Sequence, residues 1–289
     1  MTLAGQAQEL GFATQELERR WLTAMWSGTD HDGDVDIVGR TCMARPLDAL
    51  GSATLDLYAF THDVLFVTDM GRRSAQLPRP SNEIAADAEA ALAAALDADN
   101  FDLAAELLWT WPMLGLPWSS AATFGFGILA SAQDREGFLP GPGWSRAEAA
   151  GIPARFQEEY VLRTSYHATF VMGFLCAAAL RPGLAPPSAV PPNAASTDSL
   201  VWILPLLRGQ PREPIWQGVF DQLDAARQAS LAEFVLTIAM RRARATQDLE
   251  LVRECISVAL RCGLLAGPAV HQALALLQRA TLIGQMASP

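Results

Sequence analysis

Three stretches of this 289-residue chain set proton-handling groups among apolar ones. In FTHDVLFVTDMG, residues 60–71, His62, Asp63 and Asp69 are threaded through phenylalanine, valine, leucine and methionine. In NFDLAAELLW, residues 100–109, Asp102 and Glu106 stand four apart in an apolar run. In EEYVLRTSYHATFVMGFL, residues 158–175, Arg163, Tyr166 and His167 interrupt another. An imidazole held by a carboxylate has a fixed tautomer and acts as a base near neutral pH. A second acid in a dry site keeps its proton and serves as the donor. The set His62, Asp69, His167, Tyr166, Asp63 and Glu106 therefore has the composition of an acid–base site. His62 would be the base, oriented by Asp69 or Asp63. His167 or Tyr166 would donate the proton, and Glu106 would polarise the substrate. Two histidines with several carboxylates also suit a divalent ion. Neither H-E-x-x-H nor E-x-x-H occurs, however, and no cofactor is expected. The structural alternative is that these groups satisfy helix ends and loops, because buried polar groups need partners wherever they lie.

The spacing has meaning only if helices carry it. Residues seven apart on an α-helix share nearly one face. A helix over 52–70, ended by Gly71, would align His62 with Asp69, with Phe66 between them and Asp63 about a quarter turn away. A helix over 153–180 would put Tyr160, His167 and Phe174 on one line, flanked by Arg163 and Tyr166. A helix over 99–114 would place Asp102 and Glu106 on one face, with Trp109 available to wall an apolar pocket. Convergence of the three on one enclosed space would complete the site.

The remaining periodicity predicts helices at 6–26, 37–51 and 82–97, across PWSSAATFGFGILASAQ, and at 197–207, 212–225, 228–245, 247–262 and 267–285. Strand signals are poor, so the fold class is all-α: a multi-helix bundle, or a curved or ring-like array of α/α hairpins, of about ten to twelve helices. PGLAPPSAVPPNAAS, 182–196, reads as a proline-rich linker between an N-terminal lobe, 1–181, that carries the site and a C-terminal lobe, 197–289.

Composition excludes several classes. Apolar residues make up 51% of the chain and charged ones 18%, which argues for a packed core rather than disorder. A net charge of −10 without a basic stripe argues against nucleic acid. Arg241-Arg242-Ala243-Arg244 reads as a solvated helix face. No apolar run reaches a membrane-spanning length. The start lacks a secretory signal, and four cysteines without a C-x-x-C pair fit a reducing, cytoplasmic setting. TDHDGDVDIVG, 29–39, opens like a calcium loop but has Val35 where glycine is required and Thr41 where glutamate is. Walker, dinucleotide-binding and G-x-S-x-G motifs are absent.

The blocks T-H-D-V-L-F-V-T-D-M-G (61–71), D-N-F-D-L-A-A-E-L-L (99–108) and R-T-S-Y-H-A-T-F-V-M-G (163–173) resemble, in that order, those of an uncharacterised all-helical family of high-GC bacteria. The resemblance covers about 50–180 and brings no activity with it. It implies that Thr61, His62, Thr68, Asp69, Asp102, Glu106, Tyr166 and His167 occupy motif positions, and that the protein is an accessory member of specialised-metabolite pathways. Thr61, Thr68 and Asp102, together with Arg163, Phe66 and Trp109, are the expected substrate contacts. The expected function is a cofactor-independent isomerase, epimerase or cyclase acting on an apolar or peptide-derived small molecule. The alternatives are a helical scaffold that binds a peptide or partner protein, and a divalent-metal enzyme using His62, His167 and the carboxylates. Leucine- and alanine-rich helices at 228–285 could form a homodimer seam.

Overall fold

A computed structural model of the protein describes residues 3–29, 35–192, 198–208 and 214–286. Among them are fourteen α-helices, two short 3-10 turns and no strand, so the fold is all-α. The axis is α5 (Phe101–Leu114), buried at every position from 101 to 113. It is surrounded by α3 (Thr54–Val67), α4 (Ser81–Asp97), α6 (Ser120–Glu136) and α8 (Ala154–Ala179). α1 (Leu3–Ser27) covers α3, while α12 (Ala232–Ala245) covers α4 and is backed by α13 (Leu249–Cys262) and α14 (Pro268–Met286).

The boundaries of α5 follow from its sequence. The Asn100 side chain accepts from the Leu103 N–H, satisfying an orphan donor of the first turn. Gly115 closes the helix in the left-handed conformation, φ 65°, with its N–H on the Trp111 carbonyl. Pro112 removes one internal donor, yet the helix runs two residues past it. Gly125 of α6 lets that helix approach closely: a Cβ there would lie 3.1 Å from the Leu92 side chain.

Three helices differ from expectation. The one predicted over 52–70 stops at Val67. Thr68 turns its hydroxyl back onto the Val64 carbonyl at 2.7 Å and accepts from the Gly71 N–H at 3.0 Å. Asp69, Met70 and Gly71 then take left-handed φ values of 49°, 55° and 75°. Arg73 donates to the Val67 carbonyl, as a cation at a helix C-terminus should. The 37–51 helix is instead α2 (Val35–Val38) and a 3-10 turn, Cys42–Ala44. Pro46 disfavours helical backbone at Arg45, which is extended at φ −129°, ψ 153°. The Asp48 carboxylate then accepts from the N–H groups of Leu50 and Gly51, holding a turn. In place of one helix over 212–225 there are α10 (Ile215–Phe220) and α11 (Ala225–Ala229), the second capped by Asp224. α7 (Arg146–Gly151) and α9 (Asp198–Ile203) complete the set.

Residues on both sides of the proline-rich stretch contribute to one contiguous hydrophobic core. Arg242 of α12 grips Asp97 of α4 with two hydrogen bonds, 3.0 and 2.6 Å, and Gln272 of α14 donates to the Leu47 carbonyl at 2.6 Å. The stretch itself is held down: Trp118 Nε1 donates to the Leu184 carbonyl and Arg227 Nε to that of Val190. The end of the stretch, 193–196, and the aspartates of the acidic turn, within 30–34, lie outside the described residues. All four cysteines are free, with Cys42 and Cys255 buried. Among the described residues no helix is long and apolar enough to cross a membrane.

Candidate functional site

α5 carries the centre of the site. Asp102 and Glu106 are one turn apart on one face, 6% and 5% exposed. Each meets an imidazole from a different neighbour. Asp102 Oδ1 lies 2.7 Å from His167 Nδ1 on α8. Glu106 Oε2 lies 3.7 Å from His62 Nε2 on α3. Both carboxylates have a second partner. The Tyr58 hydroxyl donates to Asp102 Oδ2 at 2.7 Å, and the Thr61 hydroxyl donates to Glu106 Oε2 at 2.5 Å. Tyr58, Thr61 and His62 are held in place by being neighbours on one helix. Two carboxylate–imidazole pairs thus stand side by side, bridged by residues of α3.

The electrostatics follow from that arrangement. The Glu106 carboxylate raises the pKa of His62 above its ordinary 6.5, against the opposing effect of partial burial. Burial, followed by donation to Asp102, raises the Tyr58 phenol and keeps its proton on. With Asp102 ionised, His167 carries its proton on Nδ1 and offers Nε2 as a base. The carboxylates are buried, whereas the imidazoles reach the surface: the side chains of His62 and His167 are 39% and 55% exposed. The site is therefore an open mouth with a buried floor, and not the enclosed chamber expected from the sequence.

The structure brings together His62, His167, Asp102, Glu106 and Thr61. Phe66 packs its ring 5.7 Å from His62 and 5.3 Å from Trp21. Tyr166 is beside the site, with its ring edge-on to His167 at 6.3 Å and half-exposed. Trp109 is buried and stacks on Phe174 at 5.6 Å and 8°; its indole N–H finds no acceptor. Asp69 is elsewhere. Because α3 stops at Val67, the seven-residue spacing from His62 no longer aligns the two, and Asp69 accepts from Trp21 Nε1 at 2.7 Å and from Arg72 at 2.8 Å. Asp63 also faces away, toward α1 and the Cys42–Ala44 turn. It accepts from the Thr14 hydroxyl at 2.7 Å and the Met43 N–H at 3.2 Å. Thr68 is occupied in closing α3, and Arg163 is exposed over the Tyr160 ring. Tyr160 caps the loop before α8, donating to Glu148 at 2.8 Å.

Sequence reasoning missed Tyr58. It stands four residues before His62, the same spacing that links Asp102 to Glu106, and so shares its face. Asp102, Glu106 and His167 also form a potential ligand set: one donor atom from each lies within 4.8 Å of the others. Beyond Tyr166, the outer face of α8 bears Leu162, Phe170 and Phe174, each between 47% and 65% exposed. They border a groove of about 690 Å³.

No curated protein and no solved structure matches the chain. A family model matches residues 4–177, a span that holds α3, α5 and all but the last two residues of α8, and hence every residue of the two pairs. The chain belongs to the family described as a domain of unknown function, DUF6895.

Proposed function

We propose that the protein is a proton-transfer catalyst, an isomerase, epimerase or cyclase that uses the two carboxylate–imidazole pairs on opposite sides of a substrate. The observation that carries this reading is the geometry of α5: Asp102 and Glu106, one turn apart, each hold a histidine whose ring reaches the surface. His167 Nε2 takes a proton from a substrate carbon, and Asp102 stabilises the imidazolium that forms. His62, whose pKa Glu106 raises, returns a proton to the substrate. These roles reverse those expected from sequence, because Asp69 is not the partner of His62. The exposed apolar face of α8 beside His167 suits an apolar or peptide-derived substrate, in keeping with the specialised-metabolite setting that the family blocks imply.

Solvent isotope exchange tests the reading without a known substrate. A small-molecule extract of the native host is incubated with the protein in D₂O and analysed by mass spectrometry. The expected result is at least one metabolite that gains a deuteron with wild type and not with His167→Ala or Asp102→Asn. No protein-dependent exchange, or exchange that survives both changes, refutes it. A second reading rests on the mutual proximity of Asp102, Glu106 and His167 donors, which fits a divalent ion acting on the substrate. Exchange abolished by a chelator and restored by Mn²⁺ or Zn²⁺ would select that reading over the first.

A further inference from the structure

A second cavity, of about 370 Å³, is lined by neither histidine and by neither of their carboxylate partners. Its walls are α4, the loop from α5 to α6, α12 and the start of α14. Two carboxylates line it, Glu89 from α4 and Glu233 from α12, and among the described residues no arginine or histidine does. Trp111 and Phe234, 2% and 3% exposed, supply aromatic surface. Thr237, one turn beyond Glu233, is 7% exposed and also lines the cavity, and its hydroxyl makes no hydrogen bond among the described residues. A hydroxyl on so nearly buried a residue normally bonds a helix carbonyl or a neighbour; here it is free to meet a guest. Glu233 packs against Gly267, where any side chain would collide with the carboxylate.

We propose that this cavity binds a small organic ammonium ion with an apolar body. The two carboxylates take the cationic head, the Trp111 and Phe234 rings add cation–π and apolar contact, and Thr237 accepts from the ammonium N–H. Burial raises the pKa of both glutamates, and the Glu233 charge adds to the effect on Glu89, while the Ser119 hydroxyl partly relieves it. Two partly buried carboxylates facing a cavity without a cation are poorly solvated, and a bound ammonium offsets that cost. A metal ion is the poorer fit, since it would find only two charged donors, and the aromatic and alanine surface beside them offers it no ligand. The inference is independent of the histidine site.

The test is isothermal titration calorimetry of the full-length protein with butylammonium, hexylammonium and phenethylammonium chlorides, using 2-phenylethanol as the neutral counterpart of the last. At least one ammonium ion is expected to bind, with phenethylammonium about tenfold or more tighter than 2-phenylethanol. Glu89→Gln and Glu233→Gln should each weaken ammonium binding about tenfold while raising Tm at pH 8, because each removes a poorly solvated charge. Lowering the pH should abolish binding at a pH above the ordinary carboxylate range. The proposal is overturned if none of the three ammonium ions binds, if 2-phenylethanol binds as well as phenethylammonium, if both Gln variants keep wild-type affinity, or if Mn²⁺ binds in preference to all three.

Discussion

Asp63→Asn should change the pH dependence of stability more than any other single substitution near α3. The Asp63 carboxyl is fully buried and accepts from the Thr14 hydroxyl and the Met43 N–H, with the Cys42 backbone also close enough to favour its charge. Burial dominates these hydrogen bonds and lifts its pKa from 3.8 to about 7. Between those values the folded protein holds a proton that the unfolded chain has released. Stability therefore falls as pH rises through this window, by about 1.4 kcal/mol per pH unit, and the full interval corresponds to roughly 4 kcal/mol. Asparagine has no charge to desolvate, so the variant lacks this dependence. It faces a different penalty: if its oxygen accepts from Thr14, its amide N–H meets the Met43 N–H, costing about 1–3 kcal/mol at every pH. Urea unfolding of both proteins from pH 4.5 to 8.5 separates the two effects. The difference in unfolding free energy should move by roughly 3 kcal/mol in favour of Asp63→Asn across the range. Its sign should change from less stable than wild type at low pH to equal or more stable at high pH. Parallel curves would refute the reasoning, since they would mean that the carboxyl is ionised in the fold at every pH tested.

Glu106→Gln should lower the His62 pKa, read from its ring proton by NMR; an unchanged titration would mean that Glu106 is not the group that raises it. The sign for stability is the same as for Asp63: the raised His62 pKa contributes stability that is complete below 6.5 and is lost as pH rises through the folded value. Arg242→Ala leaves Asp97 with Trp216 as a partner and without its bidentate guanidinium. It should cost about 3 kcal/mol in chemical denaturation and still unfold in one transition. Separate melting of the C-terminal helices would show that α12 and α4 do not share a cooperative core.

Most of the helical architecture was legible because long apolar periodicity and end signals agreed. Asn100 and Gly115 mark the ends of α5, and Pro153 and Pro182 bracket α8. The i, i+4 pair Asp102 and Glu106 and the two histidines also came through, since each lies in the interior of a helix whose face the sequence sets. Asp69 did not. Its predicted place required α3 to run past Val67, whereas the Thr68 hydroxyl and the left-handed turn at Asp69–Gly71 end it there, and contacts distant in sequence, Trp21 on the Asp69 carboxylate and Arg181 on the Gly71 carbonyl, meet that turn. Asp63 failed for a related reason. A quarter turn decides whether a carboxyl faces α5 or α1, and the sequence does not say which neighbour packs on which side. The helix predicted over 37–51 failed locally, because Pro46 and the Asp48 turn outweighed the apolar pattern.

The burial of α5 sets the mechanical character of the histidine site. A helix packed on every side cannot tilt or slide without opening the whole molecule, so its backbone amides should be among the last to exchange with solvent. The acidic anchors are therefore fixed, and the adjustable parts are the two rings at the surface and the aromatic strip on the outside of α8. On the proposed reading, a substrate must fit itself to an immobile base plate, and changes in selectivity should be reached through the outward faces of α3 and α8 rather than through the interior helix between them.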